Sequence, residues 1–268
     1  MKNCHAGAWR SVGFCGGGEE KNCHAGAWRS VSAARNNSFV HSFNGQGELL
    51  NTTGMERMNM QSFSGNEHSP WRSRGYMPHF DAPGLIQHIT FRLRDALPEQ
   101  ALTEMKRTIS RIQQSEKETQ QRLCIEKYLD AGHGSCILSH PEAARLIQNA
   151  LFHFDHVRYR LLAWVIMPNH VHVLIEQFDV CGLGKIVQSW KSFTARRINA
   201  QWEGLCSDLH IHAKREQRLW HREYWDRYIR DERHLSSVIT YIHENPVQAK
   251  LVQNSSDWQW SSISKRFA

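Results

Sequence analysis

No stretch of this chain approaches the run of about 18 apolar residues that a membrane-spanning helix needs, so the sequence offers no membrane span. Its opening residues lack the pattern of a signal peptide. Cysteine provides no framework either: the seven present, an odd number, are scattered without regular spacing. That excludes a disulfide-stapled scaffold and fits a reducing compartment, so the expected location is the cytoplasm. Acidic residues are in deficit, 26 against 33 lysines and arginines, leaving a formal net charge of +7 that favours a polyanionic partner. Finally, roughly the first seventy residues lack sustained hydrophobic periodicity.

That N-terminal region does hold a repeat. Lys2–Val12 recurs unchanged as Lys21–Val31, with Gly16–Gly18 between the copies and a Ser/Asn/Gly-rich run beyond them. Two short copies are too few for a solenoid. Cys4, His5, Cys23 and His24 are zinc-binding residue types, but adjacent Cys-His dipeptides lack the usual two-to-four-residue ligand spacing. Residues 1–73 are therefore expected to be a low-complexity extension, disordered or added by a mis-assigned start. Residues 74–268 are enough for one domain with a real core.

The most informative feature is His170-Val171-His172, on a strand-like run after Met167-Pro168-Asn169. Strand side chains alternate faces, so the two imidazoles point the same way while Val171, Val173 and Ile175 fill the opposite face. Such a pair suits a divalent metal. On spacing alone, it equally suits two half-buried histidines with backbone partners.

About seventy residues later, Asp231 to Glu244 has helical character, with Leu235, Val238, Ile239 and Ile242 as its apolar stripe. Tyr241 falls off the centre of that stripe and Asn245 follows one turn on, so a phenol and a carboxamide share a helix end away from the core stripe. Pro246 is expected to end the helix.

Together these segments resemble the REP-associated tyrosine transposases, a branch of the HUH single-tyrosine transposases. The resemblance runs from about Arg74 to Ser262. Its pieces are Arg74–Asp81, Trp164–Leu174 around the histidine pair, Ser189–Thr194, Tyr228–Glu232, Tyr241–Val247, and Asp257-Trp258 with Trp260–Ser262. A lone His-x-His is weak, but the ordered set is specific. The resemblance implies cleavage of single-stranded DNA: His170 and His172 bind Mg²⁺ or Mn²⁺, and Tyr241 attacks the scissile phosphate to form a 5′-phosphotyrosine. A phenol is both a nucleophile and a workable leaving group, so bond energy is kept for rejoining. Asn245 matches the position of a third metal ligand, with His243 and Glu244 close beside it. An amide oxygen suits Mg²⁺, whereas two imidazoles alone favour softer metals. The implied partner is single-stranded or hairpin DNA, handled by a chromosome-associated monomer or homodimer. Because family members begin near Arg74, translation is expected to start at Met55, Met58, Met60 or Met77.

The element pattern supports a single α+β layer structure. Strands are expected at Leu85–Leu93, Tyr159–Met167 and His170–Gln177, with a further one between Leu205 and Tyr228. On the first strand, Ile86, His88, Thr90 and Arg92 alternate against Leu85, Gln87, Ile89, Phe91 and Leu93. Helices are expected at Glu99–Leu129, Pro141–Phe154 and Leu183–Ala200, and around Tyr241. This reads as a ferredoxin-like (RRM-like) antiparallel sheet with helices packed on one face.

Candidate DNA contacts are Lys185, Lys191, Arg196 and Arg197, on a helix with no acidic residue from Lys185 to Arg197, together with Arg227 and Arg230. The same cations also fit an ordinary solvated helix face. Trp220, Tyr224, Trp225 and Tyr228 interleave with arginines, an arrangement suited to stacking bases and pairing phosphates. Three function classes follow: an active single-strand transposase or nickase, a non-cutting hairpin-binding protein of the same fold, and a metal-dependent phosphodiesterase without rejoining activity.

Overall fold

In the computed structural model, the residues described are 71–73, 78–99, 101–103, 107, 114–214 and 218–264. The repeat, the Cys-His dipeptides and the candidate start sites all lie outside them. A hairpin of β1 (Trp71–Ser73) and β2 (Pro78–Phe80) begins the described chain, with Trp71 opposite Phe80. The expected boundary after residue 73 therefore falls inside this hairpin.

The main sheet contains β3 (Ile86–Arg92), β4 (Tyr159–Ile166), β5 (His170–Gln177) and β6 (Trp225–Tyr228), in the antiparallel order β4-β5-β3-β6. This is the strand order of a β-α-β-β-α-β ferredoxin-like unit. The strand expected between Leu205 and Tyr228 is β6. Among the described residues, the chain forms the helices α1 (Gln114–Asp130), α2 (Pro141–His153), α3 (Leu183–Ala200), α4 (Trp202–Asp208) and, after the last strand, α5 (Glu232–Gln248). Residues 99 and 101–103 are also helical, so the long helix expected from Glu99 is described only in part.

Local chemistry sets these boundaries. His140 caps α2 by accepting from the Glu142 N–H, with Pro141 in the first turn where no donor is needed. Asp231 caps α5 by accepting from the His234 N–H. Pro246 does not end α5, which runs on to Gln248. Proline removes a single N–H there, and the carbonyls of Asn245, Pro246 and Val247 still accept from Ala249, Leu251 and Lys250.

The apolar sheet face carries Ile89, Phe91, Val171, Val173 and Ile175, all buried. Trp190 of α3 lies against Phe91 and edge-on to Tyr159. Its Nε1–H donates to the Tyr159 hydroxyl, which itself donates to the Leu151 carbonyl. The antiparallel α+β sheet is thus as expected, and α5 adds a feature of its own. It lies across the other sheet face, the one that carries the histidines.

Candidate active site

Cross-strand register assembles the site face. His172 sits opposite Thr90, and His170 opposite Arg92, on neighbouring strands β5 and β3. Directly paired residues share a face, so both histidines stand in one row with His88, Thr90 and Arg92. The two imidazoles are fully buried, their ring centres 4.8 Å apart and their planes perpendicular.

The hydrogen bonds around each ring determine which nitrogen is available. The Asn169 side-chain amide donates to the carbonyls of Leu129 (3.1 Å) and His133 (3.0 Å). Its oxygen must then accept, so His170 Nδ1–H donates to it at 2.7 Å and His170 Nε2 carries the lone pair. His172 engages Thr90 Oγ1 (2.9 Å) and His88 Nε2 (3.2 Å) through Nδ1, leaving its own Nε2 for a ligand. Burial pushes His170 down to about 3, and it pushes His172 well below the ordinary histidine range with help from His170 and His88. Both are neutral at physiological pH, the state a metal requires.

Helix α5 supplies the other half. The Tyr241 ring lies 5.3 Å from that of His172 and 6.0 Å from that of His88, edge-on to both. Asn245 places its amide nitrogen 3.5 Å from His172 Nε2. Its Oδ1 is buried and has no hydrogen-bond partner among the described residues. Asn245 lies off the apolar stripe of α5 and is nonetheless fully buried. The polar side of α5 meets the polar face of the sheet, so distance from the apolar stripe did not mean exposure. An orphaned amide oxygen beside two imidazole lone pairs fits a divalent cation. The two imidazoles are only two donors, and the orphaned amide oxygen would supply a third. His243 and Glu244 are engaged elsewhere: His243 Nε2 meets Ser262 Oγ at 2.9 Å, and Glu244 accepts from the Ser255 hydroxyl.

The candidate DNA contacts divide between locations. Arg227 is exposed on β6, opposite His88 and on the site face, and exposed Arg230 follows just beyond. Lys185, Arg196 and Arg197 are exposed on α3, which covers the other face of the sheet. Lys191 is already committed, its ammonium donating to the carbonyls of His221 and Arg222.

Sequence reasoning gave no role to several residues of the site. His88, Thr90 and Arg92 were legible as one strand face, and that alternation was the available signal. Arg92 is a buried guanidinium, lowered to about 10 by burial against a smaller opposing pull from Asp95. Asp130, at the end of α1, is raised to about 7, chiefly by burial and then by Glu126. Nothing in the sequence marked it.

Buried neutral histidines make acid stability predictable. His221 and His243 are also held down to about 4, in both cases first by burial. A histidine depressed below its unfolded value near 6.5 does not oppose folding above that pH. Below it, the unfolded state binds more protons, and each such group removes up to about 1.4 kcal/mol per pH unit until its folded pKa is reached. Unfolding free energy should therefore fall steeply between pH 6.5 and 5. His221→Gln should recover about 1 kcal/mol of that loss, allowing for partial exposure. Urea titrations at the two pH values measure it, and an unchanged loss in the variant would contradict the assignment.

The comparisons with known proteins bear on this arrangement. Residues 137–245 match the family model described as transposase, IS200-like. That span begins just beyond α1 and ends on Asn245, so it takes in both histidines and Tyr241. The segment is similar to that family over less than half of the chain. The chain is 28% identical over 113 residues to the "Putative REP-associated tyrosine transposase" of Haemophilus influenzae, and 24% identical over 110 residues to the "REP-associated tyrosine transposase" of Escherichia coli K12. Each match covers 41% of this chain, and the chain spans 61% and 58% of those relatives' lengths. Among solved structures, it is similar to a REP-associated tyrosine transposase bound to a REP hairpin, at 16% identity and a TM-score of 0.40, covering 69% of this chain and 80% of that one.

Proposed function

We propose that this domain cuts and rejoins single-stranded DNA beside hairpins of the REP type, through a 5′-phosphotyrosine on Tyr241. The observation that carries the reading is the meeting of Tyr241 and Asn245, one helical turn apart, with the two imidazoles of β5. His170 Nε2, His172 Nε2 and Asn245 Oδ1 would hold Mg²⁺ or Mn²⁺. When bound, that cation supplies positive charge at the scissile phosphate.

The remaining chemistry belongs to the chain. The Tyr241 oxygen loses its proton and bonds to phosphorus, the phosphorus–O3′ bond breaks, and the O3′ leaves as a hydroxyl once protonated. The reaction depends on positioning, which the edge-on packing of Tyr241 against His172 and His88 provides. Attack by a free 3′-hydroxyl on the phosphotyrosine reverses these bonds and releases the phenol. Arg227 and Arg230 are placed to meet phosphates on the site side. Lys185, Arg196 and Arg197 would bind backbone farther from the cut, a contribution that weakens with salt.

A gel assay tests this. The full chain, labelled single-stranded hairpin oligonucleotides from the gene's own flanks and Mn²⁺ should give a denaturant-resistant shifted band. His172→Ala should reduce that band at least about 100-fold while hairpin binding persists. Hairpin binding without a covalent band, across several flanking substrates and both metals, would instead support a non-cutting hairpin-binding protein.

A further inference from the structure

The site face ends at a carboxylate outside the segment matched by the family model. Asp130 is the last residue of α1, and its Oδ1 is buried without a hydrogen-bond partner among the described residues. That oxygen lies 3.9 Å from His170 Nε2. Because His170 Nδ1–H is committed to Asn169, the nitrogen facing Asp130 carries a lone pair. Two electron-rich atoms thus face each other at a distance too long for a hydrogen bond.

The spacing is meaningful for a cation. Donors held about 2.1 Å from an octahedral metal lie about 3.0 Å apart when adjacent and about 4.2 Å apart when opposite. A separation of 3.9 Å falls in that range. The approach is also built into the fold. Asn169 holds the carbonyl of Leu129, the residue before Asp130, with the same amide group that fixes the His170 ring. The end of α1 and the first histidine are therefore tied to one side chain.

We propose that Asp130 is a further, anionic ligand that makes this site selective for hard divalent cations; the inference rests on the reading that His170, His172 and Asn245 hold a metal. Those three donors are all neutral, and two imidazoles favour zinc, cobalt or nickel over magnesium or manganese. One carboxylate oxygen adds the charge and hardness that Mg²⁺ and Mn²⁺ prefer.

The test is metal binding by the full chain without DNA. Mn²⁺ is followed by loss of the free-ion electron paramagnetic resonance signal, and Zn²⁺ by calorimetry. Wild type should bind Mn²⁺, and His172→Ala should lose that binding. Asp130→Asn should weaken Mn²⁺ by about tenfold or more while changing Zn²⁺ by much less, so the Mn²⁺-to-Zn²⁺ affinity ratio falls. Asp130→Ser carries the same expectation should the Asn variant fail to fold, and Glu203→Gln, exposed on α4, should leave the ratio unchanged. Mn²⁺ binding by Asp130→Asn equal to wild type, with His172→Ala inactive in binding, would overturn the inference alone. A wild type that binds no Mn²⁺, or a His172→Ala that binds it normally, would overturn the metal reading itself. Equal weakening of both metals would overturn the selectivity claim.

Discussion

Tyr241→Phe is expected to abolish the covalent DNA–protein product, a loss on the order of 10⁴-fold or more, as when other enzymes lose their nucleophile. Only one atom changes. The ring keeps its edge-on contacts with His172 and His88, so packing against the sheet survives. Removing the hydroxyl should cost about 1 kcal/mol of stability, and hairpin affinity and Mn²⁺ binding should stay near wild type. The rate effect dwarfs the structural one, and that separation identifies a nucleophile. Tyr228 lies on β6 and Tyr224 just before it, so their phenylalanine variants provide matched controls that should still form the band. A band that persists in Tyr241→Phe would remove Tyr241 from the chemistry.

Asn169→Ala should damage both stability and metal affinity, from a residue that touches no substrate. Its amide nitrogen satisfies the carbonyls of Leu129 and His133, and its oxygen accepts from His170. Truncation strips the His170 Nδ1–H of its acceptor and leaves the Leu129 carbonyl only the Gly132 N–H and the His133 carbonyl only the weak Cys136 thiol donor, at about 1–3 kcal/mol for each group not satisfied or reached by water. A total of about 3 kcal/mol corresponds to a melting temperature lower by roughly 6–12 °C in a domain of this size. The His170 ring also loses the bond that fixes its tautomer, which should weaken Mn²⁺ by about 10–100-fold. Thermal melts with and without Mn²⁺ read both effects. A melting temperature within 2 °C of wild type would show that water replaces the amide without cost.

Much of this architecture was legible because its period is regular. The strands around the histidine pair and at Leu85–Leu93, the α2 and α3 helices, and the shared direction of His170 and His172 all follow from alternation or from a 3.6-residue stripe. What failed was inference about polar side chains on amphipathic elements. The burial of Asn245 was not legible because a helical wheel places it off the apolar stripe without showing that this side of α5 meets a polar sheet surface. Pro246 read as a stop, yet a proline in the last turn removes one donor and leaves the helix intact. Asp130 and Asn169 were silent for another reason. Their importance comes from contact between the end of α1 and the β4–β5 turn, about 40 residues apart, and no local pattern encodes that.

The segment from Trp258 to Ser262 has a consequence for how this protein is made. The Trp258 indole donates to the Ile166 carbonyl, the Ile166 N–H to the Trp260 carbonyl and the Ser262 N–H to the Trp164 carbonyl, so these residues cap the outer edge of β4. A finished molecule is thereby protected at β4 from adding a strand of a neighbouring copy. On the ribosome the order is unfavourable: β4 is synthesised nearly a hundred residues before its cover, at 5–20 residues per second. For several seconds each nascent chain presents an apolar strand with open hydrogen-bonding groups. Rapid, crowded translation of this message should therefore favour inclusion bodies, and slower synthesis at lower temperature should favour the folded protein.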